Sequence, residues 1–284
     1  MAAIIKRALV LTMRETDPAT FMDESSLRLF ELERGISIAI YGMKAERQLP
    51  FQSYIGYTLF KNGLPAAYGG SWMFGKRAMF GLNIFETYRG GESGFMMCQL
   101  LRVYIQVFEL DYVEVEAYQF GLDNPDGIRS GAFWFYYRYG FRSLNKALNS
   151  LSAKEFQKIK QQKGYRSSEK ILLQFTESNI VLKLQPAVHI KHSEIAAGIT
   201  KMINVRFGGN RMLAEQKATA AFLQKTKMEL PSNVNELQVL KEVALWAEAF
   251  QIKNKNQLQL MRAMIHLKPI DPYAYNQVIQ GFFL

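Results

Sequence analysis

The residues of this chain that point to chemistry are Arg89-Gly90-Gly91-Glu92-Ser93-Gly94, set between a strand-like run and a helix-like run. A glycine-rich turn in that place leaves backbone N–H groups free at a helix N-terminus, where aligned peptide dipoles favour an anion such as a phosphate. Glycine suits the turn because a Cβ would block close approach of the backbone. Ser93 and Cys98 have no paired histidine in sequence context, which leaves covalent catalysis unsupported. His189, His192 and His266 are scattered; His189 and His192 could share a face, but no Cys or carboxylate cluster joins them, so no metal site is expected.

The elements that must hold this turn can be read on either side of it. Met79-Phe80-Gly81-Leu82-Asn83-Ile84-Phe85 reads as the preceding strand, within a strand expected over about 78–86. In the run Phe95 to Phe108, Met97, Leu100, Leu101, Tyr104 and Phe108 recur at helical spacing, which predicts a helix with one apolar face packed on a sheet. Upstream, Ser53 to Phe60 and Ala66 to Phe74 read as two strands, and Asn62-Gly63 between them is the strongest short hairpin signal. Downstream, Tyr112 to Tyr118 alternates apolar and charged residues as a half-buried strand does, with Glu114 and Glu116 on one face, expected to be solvated. Asn124-Pro125-Asp126-Gly127 reads as a turn, and Gly140 stands where a helix C-terminus needs positive φ.

The glycine turn resembles the pyrophosphate loop of the GNAT acyltransferase superfamily, Gln/Arg-x-x-Gly-x-Gly/Ala, in which Arg89 and Gly94 fit and Glu92 stands where the family has glycine. A carboxylate at that position opposes a pyrophosphate unless it turns outward, pairs with Arg89 or helps cap the helix. Ala132-x-x-Phe135-Tyr136-x-Arg138-x-Gly140-Phe141 is similar to a second family motif, Ala-x-x-Leu/Phe-Tyr-x-Lys-x-Gly-Phe, at a fitting distance. Arg129 replaces the asparagine that many members carry three residues before the alanine. The resemblance covers about Ser53 to Leu144. It implies an acyl-CoA donor, acetyl-CoA or another acyl-CoA, held at Phe85, Arg89, Gly90, Gly91, Ser93 and Gly94, and bound as a co-substrate rather than permanently. It implies further that N–H groups around Phe85 to Thr87 face the thioester carbonyl, and that Tyr136 protonates the departing thiolate. Most of the aromatic residues around Tyr136 must be packing residues, and a hydroxyl with a buried partner is the competing explanation for Tyr136 itself. Glu86 is the first choice as general base, with Asn83 nearby and Glu114 and Glu116 on the next strand.

Composition sets the wider bounds. The chain has 284 residues, 49% apolar and 21% charged, enough to bury a full core and ordinary for a soluble globular protein. A single cysteine excludes an intramolecular disulfide framework, no run reaches membrane-spanning length, and the first residues lack the apolar core of a signal peptide, so a cytoplasmic location is expected. The net charge of +10 is uneven: residues 1–145 carry 15 basic and 15 acidic side chains, residues 146–284 carry 20 and 10. Lys154, Lys158, Lys160 and Lys163, with Lys225, Lys227, Lys253 and Lys255, form either a solvated surface or a face for an acidic partner such as an acyl carrier protein or nucleic acid.

After Ala153 to Gly164, read as a helix, 170–175 and 179–184 read as strands; beyond Gln185-Pro186 the pattern is helical over 193–205, 211–227, 234–250, 257–267 and 272–282. Asn233 with Glu236, and Asp271-Pro272, are helix-start signals. The expected fold class is α/β (α+β): a GNAT-like mixed, mostly antiparallel sheet flanked by helices over residues 1–185, then an all-helical region over 186–284. The leading function implied is N-acyl transfer to an amine. The alternatives are a non-catalytic binding protein whose basic half engages an acidic partner, and a factor acting on nucleic acid or aminoacyl-tRNA, recognisable by steep salt dependence.

Overall fold

The structure is a computed structural model and describes residues 1–186 and 190–283. Two short helices, α1 (Ala2–Leu11) and α2 (Asp17–Thr20), lead into the strands β1 (Arg28–Glu31), β2 (Ile36–Gly42), β3 (Ser53–Lys61), β4 (Leu64–Phe74) and β5 (Arg77–Ile84). Asn62 and Gly63 both take positive φ, 50° and 79°, the geometry whose twist suits a two-residue hairpin, and Lys61 pairs with Leu64 across it. β1 and β2 are additional to the strands read from sequence. β2 carries apolar side chains on both faces, and a short continuous apolar run has no period to distinguish it from a helix.

β5 ends at Ile84, where Glu86–Tyr88 turns as a single 3-10 segment, and α3 (Ser93–Phe108) follows. Met97, Leu100, Leu101, Tyr104 and Phe108 are all buried against the sheet, as their spacing predicts. β6 (Tyr112–Val115) stops three residues short of the expected Tyr118, and Ala117–Phe120 curls into a 3-10 turn. Asn124 opens a helix rather than a simple turn: its side chain accepts the N–H of Gly127 and caps α4 (Pro125–Ser130). α5 (Ala132–Arg138), β7 (Arg142–Ser143) and α6 (Lys146–Gln161) follow, and Gly140 has φ of +94° after α5. Residues 170–175 form not a strand but most of a helix, α7 (Glu169–Phe175). Leu172 and Phe175, three apart, bury together on one side of it, which a strand would not allow. β8 (Ile180–Lys183) completes the sheet.

The sheet has eight strands in the order β1-β2-β3-β4-β5-β6-β8-β7. It is antiparallel except between β5 and β6, which run parallel over Arg77–Met79 against Tyr112–Glu114. Glu114, expected to be solvated with Glu116, is buried on β6. It holds an ion pair with Arg77 and accepts 2.7 Å from Asn179 Nδ2, while Asn179 Oδ1 takes the Ala117 N–H; Glu116 alone is exposed. A charge survives burial there because Arg77 and Asn179 satisfy it.

The helices α8 (His192–Phe207), α9 (Arg211–Thr226), α10 (Val234–Ala249), α11 (Lys255–Leu267) and α12 (Pro272–Phe282) share an apolar cluster that includes Trp246, to which β4 contributes Phe74 and the segment before β3 contributes Phe51. Asn233 caps α10 and Asp271 caps α12, as their positions predict. α12 fastens this layer to the segments that connect the strands and to the end of α3 through buried hydrogen bonds: Tyr273 OH to Ser26 O at 2.8 Å, Tyr275 OH to Phe51 O at 2.8 Å, Asn276 Nδ2 to Gly75 O at 2.8 Å and Gln280 Nε2 to Phe108 O at 2.6 Å. Such groups cost free energy when buried unpaired, so these bonds select one docking of the helical layer. Among the described residues no helix is long and apolar enough to cross a membrane.

Candidate functional site

Strand pairing creates the site. β5 runs eight residues, but only its first three pair with β6; beyond Met79 the two parallel strands part. A cleft of about 1500 Å³ opens there, and Phe85, Glu86, Arg89, Gly90, Ser93 and Tyr136 all line it. Gly91 and Gly94, expected at the same site, are not among its lining residues.

The glycine turn forms a compact collar at the cleft's edge. Gly90, with φ of +123°, donates its N–H to Ser93 Oγ at 3.0 Å, and the Ser93 N–H returns to Gly90 O at 3.0 Å. Within these described residues no hydrogen bond takes the N–H of Gly91 or Glu92. A Cβ built on Gly90 or Gly91 meets nothing within 4 Å, so both positions face open space. These features fit a phosphate-bearing donor. Gly94 serves packing instead, since a Cβ there would lie 1.5 Å from the Tyr139 hydroxyl, and glycine admits that ring against α3.

Glu92 neither pairs with Arg89 nor caps α3 through its side chain; it reaches the hairpin end, where Lys61 Nζ lies 2.9 Å from its carboxylate. Arg89 instead donates from Nε to Ile84 O at 3.1 Å. Its guanidinium otherwise stays exposed at the cleft.

Tyr136 is buried in α5, with its ring edge-on to Phe135 and Phe141, and it faces the cleft. Burial pushes its hydroxyl well above the ordinary tyrosine range. The tyrosine therefore keeps its proton at neutral pH, the state required of a donor. Glu86 is exposed, lines the same cleft and holds no ion pair among the described residues. Of the N–H groups expected to face a thioester carbonyl, that of Phe85 is occupied by Ala66 O at 3.0 Å, which leaves those of Glu86 and Thr87.

Two features of the cleft have no counterpart among the sequence-based expectations. Gln119, in the 3-10 turn after β6, accepts the Leu82 N–H through Oε1 at 3.2 Å, on the edge of β5 that β6 has left. Glu155, buried in α6, receives Lys158 at 2.7 Å, Tyr165 OH at 2.7 Å and Ser167 at 3.0 Å, and so pins the loop that carries Tyr165, Arg166 and Ser167 into the cleft wall. Burial alone would raise the Glu155 carboxyl; the three donors outweigh it and hold the group below its ordinary value. Neither Gln119 with Leu82 nor Glu155 with its loop has a local sequence signal, since each joins residues ten or more positions apart in no regular repeat.

Several basic side chains of the C-terminal half are paired internally. Lys158 bonds Glu155, Arg206 and Lys225 share Glu248, and Lys268 is buried beside Glu242 with its Nζ donating to Leu49 O. Lys154, Lys160, Lys163, Lys227, Lys253 and Lys255 hold no ion pair among the described residues. His189 lies outside the described residues, His192 packs edge-on to Phe74, and His266 lies 3.3 Å from Glu236. Comparison with protein-family models, with curated proteins and with solved structures finds no match for this chain.

Proposed function

We propose that this chain is an N-acyltransferase of GNAT-like fold that moves an acyl group from acetyl-CoA or another acyl-CoA, or from an acyl carrier protein, directly to an amine. The observation that carries the reading is the parting of β5 from β6, with Gly90 of the glycine collar and Tyr136 lining the cleft that opens there. An unpaired strand edge accepts an extended amide chain, and the collar offers N–H groups to its phosphates.

In this reading the amine nitrogen attacks the thioester carbon. As the C–N bond forms, the carbonyl electron pair moves onto oxygen, which the Glu86 and Thr87 N–H groups stabilise. The C–S bond then breaks with its electron pair on sulfur, and Tyr136 supplies the proton that makes it a thiol. Glu86 takes the proton lost by the nitrogen; solvent exchange returns one to Tyr136. The Arg89 guanidinium, exposed beside the collar, faces the donor's phosphates.

The second reading is a non-catalytic binding protein. It is favoured by the lysines of the C-terminal half that hold no ion pair among the described residues, which suit an acidic partner. Thermal unfolding with acetyl-CoA, coenzyme A and a longer acyl-CoA separates the two. A ligand at about a hundred times its dissociation constant stabilises by about 2.7 kcal/mol, a shift of a few degrees or more in the midpoint. A shift supports the transferase; no shift with any of the three supports the binding protein.

A further inference from the structure

We propose that Gln119 is a displaceable peg: its side-chain amide stands in for a missing neighbour on the open edge of β5 and must release Leu82 before a donor's amide chain can lie there. The inference rests on the acyl-CoA reading and adds a residue that regulates access to the same site.

The argument starts from what a strand edge requires. Leu82 and Ile84 lie on the stretch of β5 that β6 does not pair with. Each is met by a side chain instead: Gln119 Oε1 accepts the Leu82 N–H at 3.2 Å, and Arg89 Nε donates to Ile84 O at 3.1 Å. A backbone group left without a partner in a partly buried position is costly, so the edge is closed from both ends by side chains. A backbone partner would be held by its own strand and could leave only if that strand unfolded. Gln119 is held to the edge by one bond and leaves by rotating its side chain.

The peg is also half-used. Among the described residues its Nε2 donates to nothing, and a Cβ built on Gly81 beside it would meet only that nitrogen and Gly70 O, both at 3.6 Å. The turn Ala117–Phe120 that presents it is secured separately, by Asn179 on the Ala117 N–H at 3.1 Å and by burial of Phe120. The side chain can therefore swing without the turn moving. A pantetheine arm carries two amides, whose carbonyl oxygens replace Oε1 on Leu82 like for like.

The sign of the effect tests the idea. Dissociation constants for coenzyme A, and for pantetheine, which has no phosphate, are measured calorimetrically on the full chain and on the Gln119→Ala and Gln119→Glu variants. Removing the competitor is expected to tighten both ligands, by about two- to tenfold for one net hydrogen bond. Gln119→Glu keeps the acceptor and strengthens its bond by charge, so it is expected to weaken both. Hydrogen exchange supplies a second readout: Gln119→Ala speeds exchange of the Leu82 amide, and coenzyme A restores its protection. Weaker or unchanged binding by Gln119→Ala, or equal shifts in both variants, overturns the peg while leaving the transferase reading intact. Absence of coenzyme A binding by every form overturns the acyl-CoA reading, and the peg with it.

Discussion

Glu92, the residue that opens α3, is ion-paired with Lys61 at the far end of β3, 2.9 Å away, and Lys61 is itself oriented by Arg34 O at 2.8 Å. The carboxylate that breaks the expected glycine pattern is thus turned from the collar and partly neutralised by the hairpin that Asn62-Gly63 closes. Lys61→Ala uncovers that charge and should weaken coenzyme A binding about two- to fivefold at low salt, with the effect fading near 1 M salt. Adding Glu92→Gln to Lys61→Ala should restore the affinity, and Glu92→Gly alone should strengthen it. Titrations at two ionic strengths decide; a salt-independent loss would locate the effect in the hairpin's structure.

The two glycines that do not line the cleft should separate cleanly. Gly91→Ala puts a methyl into open space and should leave the unfolding free energy within about 0.5 kcal/mol of the parent, while weakening the donor if the collar cradles its phosphates. Gly94→Ala collides with the Tyr139 hydroxyl and should destabilise by about 1–3 kcal/mol. Tyr139→Ala in the same chain should recover most of that loss. Urea melts of the four proteins provide the comparison.

Tyr136→Phe removes a hydroxyl whose protein surroundings are aromatic, so folding stability should change little while kcat falls by about a hundredfold. Because burial raises its pKa above the ordinary 10.0, the proton stays on the folded enzyme throughout the neutral range. Its contribution to stability is fully present below the unfolded value and is lost as pH rises from there through the folded one. Any alkaline decline in rate between about pH 7 and pH 9 should therefore belong to another group and persist unmoved in Tyr136→Phe. Disappearance of such a limb in the variant would contradict the buried, protonated donor.

His192 gives a stability effect at the acid side. Its burial, and to a lesser extent the nearby Arg77 charge, lower its pKa from 6.5. Above that value neither state is protonated and the group is silent. As pH falls below it the unfolded chain takes a proton that the folded chain refuses, so stability falls until the folded pKa is passed. His192→Asn should flatten the dependence just below about pH 6.5, measured as denaturation midpoints. An unchanged slope would assign the acid loss to carboxylates.

What the sequence determined by itself is what neighbours along the chain decide. Asn62-Gly63 makes its hairpin because two consecutive residues accept positive φ, and Asn233 and Asp271 cap helices because their side chains reach N–H groups two or three residues on. Met97 to Phe108 faces the sheet because helical spacing alone puts those side chains on one side. The collar is legible for the same reason: glycines between a strand and a helix need no distant partner to be recognised. The short apolar run 170–175 passes for a strand because six residues carry too few periods to distinguish strand from helix, and packing of Leu172 and Phe175 settles it as a helix. Only the tertiary structure decided that β5 and β6 part after Met79, that Lys61 meets Glu92, that Arg77 and Asn179 bury Glu114, and that Gln119 closes Leu82. Those pairings join residues some thirty to sixty-five positions apart. A hydrogen bond or ion pair leaves no mark on the residues between its ends, and its partners are chosen by which surfaces the folded sheet and helices bring together and dry.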